Sequence, residues 1–147
     1  MKNTEFAMEM LERAQERFED TFDQMTIEEA NQMPAPLIKS VVWLMWHTAR
    51  ELDMQISDLN GTDFLWTSAG WSEKFALDLP DDTPDYRHTP EEAAKVVVND
   101  RQLVLDYLAA SIEFTKEYLK QLDESSLDDV IDKNWDPPVT RQVRIVS

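Results

Sequence analysis

Pro36-Leu37-Ile38-Lys39-Ser40-Val41-Val42-Trp43-Leu44-Met45-Trp46-His47-Thr48-Ala49-Arg50-Glu51-Leu52-Asp53 is the stretch whose pattern decides the fold. Pro36 suits the first turn of a helix, and Asn60-Gly61 is a good C-terminal stop. The pattern predicts a helix over 36–59. Its middle, Val41 to Trp46, is apolar on nearly every side. A helix of that kind sits at the centre of a bundle and touches neighbours all round. Val41–Trp46 is therefore expected to be the most buried segment of the chain, with Leu44 and Met45 in the core. The apolar run from Leu37 to Trp46, broken by Lys39, is too short for a bilayer, which needs about 20 residues.

Upstream, Phe6, Met10, Ala14, Phe18, Phe22 and Met25 recur at spacings of three and four. That periodicity predicts an amphipathic helix over 4–25. Thr26-Ile27-Glu28-Glu29 reads as a capping box opening one short turn, ended by Pro34-Ala35-Pro36. Downstream, Thr89-Pro90-Glu91-Glu92 combines a Thr cap, a Pro at the first helical position and a Glu at the third. It predicts a helix over 90–122, buried through Leu105, Leu108, Ile112, Tyr118, Leu119 and Leu122. Asn99-Asp100 is a point where that helix can kink or restart, since both residues favour caps over interiors.

The intervening residues 61–88 form a long crossover whose Trp66, Trp71 and Phe75 read as core plugs. A crossover of that length can traverse the bundle, which favours parallel second and third helices. Residues 123–139 are a second connection, with one turn expected at 126–131. Thr140 can cap a fourth helix, with Val143 and Val146 on one face, but the chain stops at Ser147. No run alternates apolar and polar residues with β-branched enrichment, so strand content should be near zero. The expected fold is an all-α four-helix bundle in a single domain, 1–147, with its last helix truncated. Three helices lacking a wall would associate, and a homodimer is expected.

Composition narrows the function classes. A net charge of −16 excludes a basic phosphate-binding face for nucleic acid and argues against anionic membrane surfaces. The chain has no Cys, so thiolate ligands, disulfides and cysteine nucleophiles are absent. Two Gly cannot build a glycine-rich phosphate loop. The N-terminus lacks the apolar core of a signal peptide, so a cytoplasmic protein is expected, and Asn60-Gly61-Thr62 reads as a turn.

His47 is the residue to which the chemistry points. At 100° per residue it shares a narrow stripe with Ser40, Glu51 and Asp58, flanked by Trp43 and Met54. His47 and Glu51 are i and i+4, so their side chains can meet. The pair reads either as an ordinary helix-surface contact or as a site in which the carboxylate helps bind a metal or orients the imidazole. A Zn²⁺ site needs three or four ligands, of which this pair gives at most two. His88, just before the Thr89 cap, reads as a solvated loop histidine. A di-iron bundle would need Glu-x-x-His on two helices, and neither His has that partner.

The segment Pro36–Asp53, with Trp46-His47 followed by Ala49-Arg50-Glu51, resembles the second-helix signature of the DinB/YfiT-like superfamily of metal-dependent helical bundles. Gly70-Trp71, Thr89-Pro90-Glu91-Glu92 and Pro137-Pro138-Val139-Thr140-Arg141 are similar to other parts of that pattern, so the resemblance covers essentially the whole chain. It implies an up-down-down-up four-helix bundle holding a divalent metal, nickel or zinc, with three histidines. His47 matches the ligand on the second helix, and the other two are expected beyond Ser147. Glu51 would sit behind the metal ligand, and Trp43 would wall the pocket. The implied activity is that of a metal-dependent enzyme, a thiol-dependent S-transferase or a hydrolase, with a low-molecular-weight thiol as cofactor. The alternative is a non-catalytic acidic bundle that binds partners or serves under stress.

Overall fold

The computed structural model describes residues 1–84 and 86–147. Its elements in chain order are α1 (Asn3–Asp23), α2 (Ile27–Asn31), α3 (Val41–Asn60), α4 (Leu65–Ser68), α5 (Trp71–Phe75), α6 (Pro90–Ala93) and α7 (Arg101–Gln121). A 3-10 turn at Glu124–Ser126, β1 (Val130–Asp132), β2 (Val139–Thr140) and α8 (Arg141–Val146) follow. No helix among the described residues is long and apolar enough to cross a membrane.

Ser40, not Pro36, opens the central helix. Its hydroxyl accepts the Trp43 N–H at 2.9 Å, while Ala35 and Ile38 bridge in the preceding turn. Gly61 closes α3 in the left-handed conformation, φ 69°, where a side chain would be strained. The helix buries Val42, Trp43, Met45, Trp46, Ala49 and Ile56. Leu44, expected in the core, is 43% exposed. It sits 100° from Met45, on the side that no neighbouring helix covers, so the run is not buried all round.

Ion pairs and caps fix the order of the long helices. Thr4 N–H donates to Glu124 at 3.1 Å, Glu12 pairs with Lys116 at 2.8 Å, and Arg101 Nη1 donates to the Phe22 carbonyl at 2.6 Å. Ascending numbers in α1 thus meet descending numbers in α7, and the two are antiparallel. Asp53 meets Tyr107, and Ile56 clusters with Tyr118 and Leu119, so α3 and α7 run the same way, as the crossover implied.

The helix expected over 90–122 is two helices. The Thr89 box forms, with the Thr89 hydroxyl accepting from Glu92 N–H, but α6 lasts a single turn. Three consecutive valines, Val96 to Val98, follow. Val96 and Val98 are buried but lie outside any helix or strand. The Asn31 carboxamide accepts the Val98 N–H at 3.0 Å and donates to the Val98 carbonyl at 2.7 Å. It takes both backbone groups that a helix would use. Asp100 then caps α7. Asn31→Ala leaves that backbone pair unmatched and should cost about 1–3 kcal/mol in urea unfolding, with α7 intact by circular dichroism.

The turn expected at 126–131 is present over part of that span, with the Asp129 N–H donating to the Ser126 carbonyl at 3.1 Å, but its surroundings differ from the expectation. The chain turns earlier, at Glu124–Ser126, and then forms a two-strand hairpin pairing Val130 with Thr140 and Asp132 with Val139. Val130, Ile131 and Val139 are β-branched, which suits a pleated pair, but the strands are too short to show alternation. Thr140 caps α8 by accepting from Val143 N–H, and Arg144 pairs with Asp58 at the end of α3 at 2.9 Å. Phe6 and Met10 of α1, placed by periodicity on its apolar face, are 58% and 56% exposed. They edge an apolar groove floored by Leu11, Leu52, Leu119 and Ile145.

Candidate functional site

Two polar clusters grow out of α3, one of them buried. Asp53 is fully buried and accepts four hydrogen bonds: from Leu65 N–H at 2.7 Å, Trp66 N–H at 2.8 Å, the Tyr107 hydroxyl at 2.9 Å and the Ser57 hydroxyl at 3.2 Å. Leu65 and Trp66 are the first residues of α4, whose N–H groups have no partner inside the helix. The carboxylate thus pins the start of the crossover to both α3 and α7. Burial, and next the neighbouring Asp53, push the Tyr107 phenol well above its ordinary range, so it stays a donor.

One turn earlier, Arg50 is buried and donates from Nη2 to the carbonyls of Asp81 and Thr83, both at 2.9 Å. Its guanidinium stacks 5.4 Å from the Trp46 ring and 5.1 Å from the Trp66 ring. Together with Asp53 it ties both ends of the crossover to α3. Trp66 and Phe75 are buried against Tyr107, and Trp71 packs tilted against the same ring, with centroids 5.3 Å apart. The crossover aromatics are core plugs, as read from the sequence.

The second cluster surrounds His47. The imidazole is half-buried and stacks on the Trp43 indole, with centroids 4.7 Å apart and planes 14° apart. Trp43 in turn donates its Nε1–H to His88 Nδ1 at 3.0 Å. His88 is not the solvated residue expected from its surroundings in sequence. It is 8% exposed, stacks on Trp46 at 5.5 Å, and its Nε2 lies 2.9 Å from the Thr83 hydroxyl. Its backbone carbonyl accepts from Lys39 Nζ at 3.3 Å. Burial, followed by the positive charges of Lys39 and Arg50, lowers its pKa. Glu51, half-buried, accepts from Gln55 at 3.3 Å. The stripe read as α3's polar face is thus split. Ser40 caps the helix, Asp58 pairs with Arg144, and His47 and Glu51 remain on the flank.

Among the described residues, no group of three or more His, Asp or Glu side chains could hold a metal ion. His88 cannot join His47 as it stands, because both its ring nitrogens are engaged. Among the described residues, the donors around His47 do not fit a three-ligand nickel or zinc site.

A family model described as the DinB superfamily matches residues 10–146. The chain belongs to the DinB superfamily. The Trp46-His47 segment that suggested this membership lies in the first half of α3, and the match runs from α1 to α8. The crystal structure of a conserved protein from Enterococcus faecalis is similar to this DinB chain at 69% identity and a TM-score of 0.95, covering 99% of this chain and 86% of that one. No curated protein matches. Asp53, Arg50 and His88 are the site-forming residues that sequence reading missed. Asp53 had one usable signal, since Val42, Trp46, Ala49, Asp53 and Ile56 follow the 4-3-4-3 spacing of a buried stripe.

Proposed function

We propose that this DinB-superfamily protein is a divalent-metal-dependent enzyme acting on a small molecule, with His47 as the ligand that α3 contributes. The observation that supports this reading is the posture of His47. Its ring is partly accessible, yet lies flat on Trp43, whose own orientation is set by the bond to His88. A ligand held by such a partner loses little rotamer freedom on binding. The other ligands of a nickel or zinc site, and a small thiol cofactor for S-transfer or hydrolysis, belong to the same proposal, as does an up-down-down-up four-helix bundle. Glu51 and Trp43 are proposed as its neighbouring carboxylate and pocket wall.

One specific observation favours the second reading, a non-catalytic helical binding module. The described residues bring together fewer than the three or four metal donors that a zinc site needs. Metal content of the purified full-length protein and of His47→Ala separates the two. The enzyme reading predicts stoichiometric nickel or zinc in the wild type and loss to background in the variant. Helicity should be unchanged, because a half-buried flank residue carries little of the core. Equal occupancy in both proteins would make His47 a bystander, and metal in neither would favour the binding module.

A further inference from the structure

We propose that His88 is an acid-sensitive latch, holding the Asp81–Thr83 end of the crossover on α3 only while its imidazole is neutral. The inference goes beyond the metal reading and does not depend on it. An indole N–H can only donate, so His88 Nδ1, 3.0 Å from Trp43 Nε1, must present its lone pair. The ring proton therefore sits on Nε2 and is donated to the Thr83 hydroxyl at 2.9 Å. The bonding is complete for the neutral Nε2–H tautomer and has no place for a second proton. Protonation would set an N–H at Nδ1 against the Trp43 N–H, break that bond, and leave a charged ring buried against Trp46.

The charged groups facing the ring make this one-sided. Lys39 before α3, and Arg50 and His47 on α3, oppose a second positive charge, while Glu92 of α6 favours it. Burial outweighs Glu92, and the pKa of His88 is lowered. In the open form the imidazole returns to its ordinary value near 6.5. The open form therefore binds the proton more readily. The closed latch keeps its full stability above about pH 6.5 and loses it as pH falls below that value towards the closed-state pKa.

Release has two local consequences. Thr83 loses its side-chain tether, leaving Arg50 alone to hold the Asp81 and Thr83 carbonyls. Trp43 loses the bond that fixes its N–H edge, while His47 stacks on its face. Acid thus loosens the indole on which His47 rests, although His88 meets only the edge of that ring.

Hydrogen exchange of residues 78–84, corrected for intrinsic pH dependence, tests the latch. In the wild type the opening equilibrium should rise by up to about ten-fold per pH unit below about 6.5. The Trp43 indole proton resonance should shift with the same midpoint as the His88 ring. His88→Gln has no proton to gain, so exchange should be equal at pH 7 and pH 5, whether the amide holds the segment closed or leaves it open. His47→Gln should retain the wild-type transition. An acid transition that survives in His88→Gln, or vanishes in His47→Gln, overturns the proposal. So does a His88 ring that titrates in the wild type while residues 78–84 stay protected, an outcome that requires no variant to fold.

Discussion

Asp53→Ala should destabilise the protein by about 3–5 kcal/mol, measured by urea unfolding at neutral pH. The size follows from what the side chain does. It is a fully buried carboxylate that satisfies two backbone N–H groups and two hydroxyls. Its removal orphans the start of α4 and the buried Tyr107 hydroxyl, each costing about 1–3 kcal/mol if nothing replaces the acceptor. Water entering the space left behind recovers part of that sum. Domains of this size are stable by only about 5–15 kcal/mol, so the loss is a large share of the total. Asp53→Asn keeps the shape and one carbonyl acceptor, but turns an NH₂ towards donors, and should cost about half as much. The damage should begin locally, with hydrogen exchange rising first over residues 62–77. An Asp53→Ala protein within 1 kcal/mol of wild type would show that the crossover is held by its aromatics and not by this carboxylate.

Met45→Ala and Leu44→Ala, neighbours in sequence, should differ several-fold. Met45 has no exposed surface, and buried large-to-small changes of this kind cost about 2–5 kcal/mol because a cavity adds to the lost transfer energy. Leu44, 43% exposed, leaves no closed cavity and should cost no more than about 1 kcal/mol. The ratio of the two changes, from denaturant midpoints at constant slope, reports which way the apolar run faces. Equal losses would mean that both side chains are covered.

Much of the fold can be read from local chemistry because its signals are local. The Thr26, Thr89 and Thr140 caps act within three residues of themselves, and each appears where the sequence has it, whereas the Ser40 cap opens α3 four residues beyond the Pro36 start that the sequence suggested. The length of the crossover favours a parallel course of α3 and α7, and the Asp53–Tyr107 bond and the Ile56 cluster with Tyr118 and Leu119 carry it. What local reading misses depends on partners far along the chain. The Thr89 box begins a helix correctly but cannot show that it ends after one turn, since the competing hydrogen bonds come from Asn31, 67 residues away. His88 lies among polar and charged neighbours, and its burial is produced by Trp43, 45 residues earlier. Asp53 is one carboxylate among thirty acidic residues, and its role exists only once α4 and Tyr107 arrive. Leu44 shows the converse, an apolar residue that packing leaves outside. The position of His47 at the end of the apolar run was legible, as was its neighbourhood with Trp43, because three and four residues bring side chains together on any helix.

The central claim, that His47 is a metal-binding position of this DinB-superfamily protein, is tested most directly by anomalous scattering. Crystals of the full-length protein purified with nickel or zinc would be measured at the metal edge. The account predicts one strong peak beside α3, within about 2.0–2.1 Å of a His47 ring nitrogen for zinc. A fully occupied metal bound elsewhere with no contribution from His47, or no peak in metal-supplemented crystals, would contradict it.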